Sequence, residues 1–138
     1  MNSSTIAVAS AHPAPTVVRG DSTDTIHQAR ETTRAFADSL SPAPDPASAD
    51  ALVLVVSELA TNALRHGGGR YTLELRARPD AVTAAVSDPS PTAPRERTPD
   101  LHGGTGGFGW HMVRRLTSEL AITAGPGSGK TIHASLPR

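Results

Sequence analysis

Residues 45–69 have the sequence DPASADALVLVVSELATNALRHGGG and decide the fold of this chain. Asp45 followed by Pro46 is a strong helix start, because the carboxylate can cap free backbone N–H groups and proline is favoured at the first helical position. Apolar residues then recur at helical spacing until three glycines end the segment. The sequence therefore predicts a long helix that runs to about His66 and buries one face in the core.

Three polar side chains line one margin of that apolar face, at intervals of four residues: Glu58, Asn62 and His66. A glutamate and an asparagine one turn apart can face a single site. A carboxamide oxygen suits Mg²⁺, which binds few protein groups together with phosphate oxygens, and a partly desolvated carboxylate can deprotonate a hydroxyl. On spacing alone, a solvated pair on an amphipathic helix is the favoured interpretation.

The segments on both sides of this helix supply the other elements. A first helix is expected from Asp21 or Ser22 to just before Ser41-Pro42. Strands are predicted by alternating apolar residues over 70–78, 81–87, 120–123 and 131–136, with a possible short strand at 16–19 and a helix after Gly109. This order predicts an α/β sandwich, in which a mostly antiparallel sheet is covered on one face by helices.

Composition limits the class of protein. The chain has 138 residues, no cysteine, and 13 basic against 13 acidic side chains. We expect one domain over residues 15–138, preceded by a flexible Ser/Ala/Pro-rich arm over 1–14. Zero net charge argues against a dedicated nucleic-acid binder, and no apolar stretch approaches the roughly 20 residues that span a bilayer. A cytoplasmic location is the default expectation.

Two glycine-rich stretches invite a phosphate-binding interpretation. Residues 104–109, GTGGFG, have the form G-x-G-x-x-G and open a helix, where free backbone N–H groups attract anions. A flexible linker remains the alternative, since a Rossmann motif needs a strand directly before it. Residues 125–131, GPGSGKT, resemble the end of a P-loop, but position 124 is alanine and an alternating segment follows, so a tight turn is expected. The six histidines show no zinc-ligand spacing.

Four boxes in one order resemble the GHKL ATP-binding fold: residues 58–66, 88–90, 104–109 and 129–131. Within that fold, the chain is similar to the small anti-sigma-factor serine kinases of bacterial partner switching, and to the short ATPase-like regulators of actinobacteria. The resemblance covers about residues 16–137. It implies a GHKL, or Bergerat, architecture with a mostly antiparallel mixed sheet.

The resemblance also implies a site for ATP and Mg²⁺. In it, Glu58 would be the general base, Asn62 would hold Mg²⁺, and Asp88 would accept a hydrogen bond from the adenine amino group. The other positions implied at the nucleotide are Arg65 and His66 beside the phosphates, Gly104, Thr105, Gly106, Gly107, Phe108 and Gly109 in the phosphate loop and lid, and Thr131 near adenine. Arg95 and Arg97, in a loop without a specific match, are candidates for a γ-phosphate contact.

Two functions follow from the resemblance. The first is a serine/threonine kinase that phosphorylates a small antagonist protein and sequesters a sigma factor, with a homodimer expected because relatives commonly dimerise. The second is a non-catalytic regulator in which ATP only orders a partner-binding surface. A structural module without nucleotide is a third possibility. A detached histidine-kinase catalytic domain is less favoured, because no dimerisation helix with a phospho-acceptor histidine is present.

Overall fold

The computed structural model describes residues 14–93 and 106–138. Helices and strands follow one another in the predicted order, which is confirmed. The elements are β1 (Thr16–Gly20), α1 (Asp24–Ser39), α2 (Pro46–His66), β2 (Tyr71–Ala77), β3 (Ala81–Asp88), α3 (Gly106–Leu116), β4 (Glu119–Ala124) and β5 (Lys130–Pro137). The arm expected over residues 1–14 lies outside the described residues except for Ala14.

The five strands form one sheet in the order β1-β2-β3-β5-β4. All four pairings in the described ranges are antiparallel. Every second residue of β2, β3 and β5 is buried, and the register places these residues on one face, as in the row Leu73, Val86 and Ile132. The helices cover that face, which confirms the sandwich with a mostly antiparallel sheet.

Helix α2 supplies the centre of the core. Leu52, Val55, Val56 and Leu59 are each no more than 2% exposed, so hydrophobic burial holds this helix against the sheet. At 21 residues, α2 is long and apolar enough by composition to cross a membrane, contrary to the expectation that no stretch approaches that length. Because its apolar face is buried in the protein, α2 behaves as the core helix of a folded domain.

The ends of α2 follow the local signals in the sequence. The Ser48 backbone N–H donates to Asp45 Oδ1 over 2.8 Å, and Pro46 is the first helical residue. The helix ends where Gly67 N–H donates to Ala63 O, and Gly68 continues with a φ of 100° that favours glycine. Helix α1 instead begins at Asp24, later than predicted, because the preceding turn is closed by a bond from Thr25 N–H to Ser22 O.

The cap at Asp45 gives a pH-dependent prediction. The hydrogen bond from the Ser48 backbone N–H holds the pKa of Asp45 below its ordinary value of 3.8. A depressed pKa means that the cap stabilises the fold above about pH 4 and that this contribution is lost as pH falls through the folded-state pKa. Asp45→Ala should therefore lower the thermal unfolding midpoint at pH 7. In acid, the midpoints of the variant and the wild type should become equal. Asp45→Asn, which caps without charge, is the control, and a pH-independent gap for Asp45→Ala would contradict the prediction.

Candidate functional site

Helix α2 presents Glu58 and Asn62 at its margin. Both side chains are half-buried, and their four-residue spacing places them on one side of the helix. Spacing alone favours a surface pair on an amphipathic helix, and the half-buried position of both side chains shows that they are partly desolvated. A partly desolvated carboxylate and carboxamide on one line can contact the same ligand.

The first turn of α3 lies directly against Glu58. A Cβ atom at Gly109 would overlap Glu58 Oε2 and lie 2.8 Å from Cδ, so only glycine permits this approach. The first N–H groups of a helix have no partner within it. Gly106 and Gly107 are the first two residues of α3, so their backbone N–H groups belong to the end of the helix that favours anions.

A side chain at Gly109 should disturb function more than folding. The overlapping atom belongs to the far end of a flexible glutamate, so Gly109→Ala is expected to keep a near-native unfolding midpoint while displacing the carboxylate. Phosphoryl transfer, the activity that the resemblance to the anti-sigma-factor kinases implies, would then fall by about tenfold or more, as for other misplaced reacting groups. Transfer assays and thermal unfolding measure the two effects. Wild-type transfer in a folded Gly109→Ala protein would show that the Glu58 position does not matter.

At the other end of α2, Asp88 is a buried charge held by several bonds. It is the last residue of β3, 6% exposed, and its Oδ1 lies 2.9 Å from Lys130 Nζ. The Ser90 backbone N–H donates to the same oxygen over 2.9 Å, and Lys130 Nζ also donates to Ser90 O over 3.2 Å. The carboxylate is thus fixed by two opposing strands and the turn after β3.

Two glycines make room for Asp88. A Cβ at Gly67 would overlap Asp88 Oδ2 and lie 2.6 Å from its Cγ, and a Cβ at Gly129 would overlap the Asp88 carbonyl oxygen. The end of α2, the end of β3 and the start of β5 therefore meet at this residue. Oδ2 faces the end of α2, whereas Oδ1 faces Lys130.

Asp88, Asn62 and Glu58 lie at successive heights along the axis of α2, and Asn62 and Glu58 share one side of the helix, whereas Gly67 lies about 140° around it from Asn62. Asn62 precedes Gly67 by five residues, which is about 7.5 Å along a helix, and Glu58 precedes it by nine, about 13.5 Å. A fixed carboxylate thus lies at one end, a carboxamide in the middle, and a carboxylate with helical N–H donors at the other end. This arrangement suits an elongated ligand with a polar group at one end and anionic groups at the other.

The structure does not place Thr131 with these groups. Its hydroxyl lies 2.8 Å from Ser87 Oγ and donates to Gly125 O, on the face of the sheet opposite to Asp88. Lys130, the preceding residue, takes the place beside Asp88. The sequence contains the signal for this assignment, since Lys130 lies two positions before the core residue Ile132 and so shares its face.

The remaining predicted site residues divide into two groups. Arg65 and His66 are exposed in the last turn of α2, and Gly106 and Gly107 belong to the first turn of α3. Gly104, Thr105, Arg95 and Arg97 lie outside the described residues, as does the side chain of Phe108. The turn at residues 125–129 leads into strand β5, which confirms that it is no P-loop.

A pocket of about 490 Å³ opens at the same end of the sheet. Its walls include Arg19, Tyr71, Ser87, Asp88 and Pro126. Neither Glu58 nor Asn62 lines it, and Ser87 belongs to the sheet face away from the helices. This pocket therefore shares Asp88 with the polar groups along α2, but not Asn62 or Glu58.

In residues 14–93 and 106–138, no group of three or more His, Cys, Asp or Glu side chains could hold a metal ion. A metal at this site would need most of its ligands from water and from the bound molecule. Mg²⁺ commonly binds in that way, through one or two protein oxygens and substrate phosphates. Asn62 fits that role, whereas a metal held by protein alone does not fit.

Comparison with known proteins identifies the family. A model described as a histidine kinase-like ATPase domain matches residues 21–136. The chain belongs to this family. The match runs from the residues before α1 to the last strand and includes Asp88, Asn62 and Glu58. The GHKL-type fold inferred from the four boxes is therefore confirmed, and nucleotide binding is the property that this ATPase domain implies.

A solved structure shares this fold. The crystal structure of the RsbU and RsbW domains of Rv1364c from Mycobacterium tuberculosis superposes with a TM-score of 0.66 at 19% identity. The alignment covers 91% of this chain and 33% of that chain, so the histidine kinase-like ATPase domain described here spans a third of that protein's length. Among curated proteins, no significant sequence match was found.

Proposed function

We propose that this chain is an ATP-dependent regulatory kinase. It binds ATP with Mg²⁺ along α2 and transfers the γ-phosphate to a serine or threonine of a small antagonist protein. The observation that supports this proposal is the spacing of Asp88, Asn62 and Glu58 along the axis of α2, at which they would serve as a base-binding group, a metal-binding group and a proton acceptor. The family membership of the chain supports the nucleotide as the ligand.

The adenine end of the proposed site is Asp88. Its Oδ2 is an acceptor on the α2 side of the sheet, and the 6-amino group of adenine is a donor. The absence of a side chain at Gly67 leaves this oxygen beside the helix end. Because the carboxylate is fixed by Lys130 and Ser90, little ordering would be needed when the base binds.

The phosphate end of the proposed site lies between α2 and α3. Asn62 would contribute its carboxamide oxygen to Mg²⁺, which neutralises phosphate charge and orients the triphosphate. Backbone N–H groups of the first turn of α3 would donate to phosphate oxygens. The neutral net charge of the chain fits a site that binds an anion through amides and a metal ion, without an excess of basic side chains.

Glu58 would act on the hydroxyl that receives the phosphate. Its carboxylate accepts the serine proton while the serine oxygen bonds to the γ-phosphorus, and the bond between that phosphorus and the β–γ bridging oxygen breaks to release ADP. The half-buried position of Glu58 limits competition by water. Positioning and charge neutralisation would supply most of the rate.

The proposed partners are a sigma factor, which the chain would sequester, and the antagonist, whose phosphorylation would weaken its hold on the kinase. The supporting observation is fold likeness to a structure that contains an RsbW domain together with an RsbU domain. A homodimer and a cytoplasmic location belong to the same proposal. Neither nucleic acid nor a membrane is a proposed partner.

The test of this function is transfer of label from [γ-³²P]ATP. The chain, Mg²⁺ and a candidate antagonist are mixed, and labelled serine or threonine on the antagonist is the expected product. ATP binding without transfer to any antagonist would instead support the non-catalytic regulator, in which nucleotide only orders a partner-binding surface. Absence of ATP binding would contradict both functions.

A further inference from the structure

We propose that Lys130 is a positioning residue that makes the nucleotide site selective for purines with a 6-amino group. This inference rests on the proposed function, because it concerns the same Asp88 carboxylate. It adds Lys130, a residue of the box at 129–131 to which the resemblance assigned no role. Lys130 contacts no part of the proposed ligand and would act only through Asp88.

The first observation is the geometry of the ion pair. Asp88 and Lys130 are directly opposite each other in the β3–β5 pairing, and their side chains are 3% and 6% exposed. Nζ lies 2.9 Å from Oδ1 and also donates to Ser90 O. An ammonium buried with this geometry holds the carboxylate in a single orientation, since breaking the pair would leave a costly unpaired charge in the interior.

The second observation is how the two carboxylate oxygens differ. Within residues 14–93 and 106–138, the hydrogen bonds made to the Asp88 side chain all go to Oδ1. Oδ2 lies on the side of Gly67, where the proposed ligand would bind. Lys130 therefore donates its hydrogen bond to Oδ1, and Oδ2 remains as the acceptor for the base.

Selectivity follows from the hydrogen-bonding capacity of a charged carboxylate, which accepts and cannot donate. Adenine presents a 6-amino donor to Oδ2, whereas hypoxanthine in the same position presents a 6-oxo acceptor, and two facing acceptors are left unsatisfied. If Lys130 is removed, no side chain of β5 holds Oδ1, and the carboxyl group can turn away from the position in which Oδ2 meets the base. The preference for a 6-amino group would then be lost.

The experiment measures the Kd values of MgATP and MgITP by calorimetry, because inosine differs from adenosine in this donor and acceptor. The wild type should prefer ATP by about tenfold or more, the cost of an unsatisfied buried group. Lys130→Met should reduce this preference to near unity, and Lys130→Arg, which keeps the charge, should restore most of it. Circular dichroism confirms folding. If Lys130→Met does not fold, Lys130→Gln carries the test: its neutral amide can donate to Oδ1 but holds it more weakly than an ammonium, so its preference for ATP should fall below that of the wild type.

The outcomes separate this inference from the proposed function. A folded Lys130→Met protein that loses affinity for both nucleotides by the same factor would show that Lys130 has only a structural role. A wild type that binds ATP and ITP equally would also overturn the inference, while the proposed function would stand. A wild type that binds no ATP would overturn both.

Discussion

Replacement of Glu58 by glutamine is expected to lower phosphoryl transfer by about 10²–10⁴-fold, the usual contribution of a general base. Glutamine keeps the shape of the side chain beside Gly109 but cannot accept the serine proton. Binding of ATP should change little, because Glu58 acts on the incoming hydroxyl and not on the nucleotide. The measurement is the initial rate of label transfer to the antagonist, paired with a calorimetric Kd for ATP.

A matched control is Glu119→Gln, which removes the same charge from the exposed start of β4. This variant should transfer phosphate at the wild-type rate. If Glu58→Gln transfers equally fast, Glu58 is not the base. A parallel loss of ATP binding and of transfer would assign it to nucleotide binding instead.

Replacement of Asp88 by alanine should have the largest effect on stability. The Lys130 ammonium would remain buried without its carboxylate, and breaking a buried ion pair from one side costs about 3–5 kcal/mol. Domains of this size are stable by only about 5–15 kcal/mol, so much of the free energy of unfolding would be lost. Urea unfolding monitored by circular dichroism measures the difference.

Two further variants test whether the loss of stability comes from the unpaired Lys130 ammonium. Asp80→Ala removes a carboxylate from the exposed turn between β2 and β3 and should change the free energy of unfolding by no more than about 0.5 kcal/mol. The double variant Asp88→Leu, Lys130→Met leaves neither charge and should recover a large part of the loss. A loss below about 1 kcal/mol for Asp88→Ala would mean that the pair does not hold the strand ends together.

Much of the fold could be predicted because its signals are local. Asp45 and Pro46 mark the start of α2, and the glycines from Gly67 mark its end, through caps that involve only neighbouring residues. Alternation in β2 and β3 predicts their hairpin for the same reason, since each strand buries every second residue. The start of α1 was less predictable, because several residues before Asp24 could cap it.

The candidate site was only partly predictable, because it depends on which residues meet across elements. Lys130 and Thr131 are neighbours in β5, and neighbouring residues of a strand face opposite sides of the sheet. The motif drew attention to the threonine, whereas the alternation through Ile132 indicated the lysine. The contact of Gly109 with Glu58 depends on how α3 packs on α2, and no local pattern contains that information.

The proposed function requires that ATP binds along α2 with Mg²⁺ held at Asn62. Calorimetric titration of ATP, with and without Mg²⁺, on the wild type and Asn62→Ala tests it most directly. Thr61→Ala, about 100° further around the helix, is the control. We predict that the wild type and the control bind ATP more tightly with Mg²⁺, and that Asn62→Ala loses most of this difference. Two results would contradict this mode of binding: a wild type that does not bind MgATP, or an Asn62→Ala protein whose affinity for ATP rises with Mg²⁺ as much as that of the wild type.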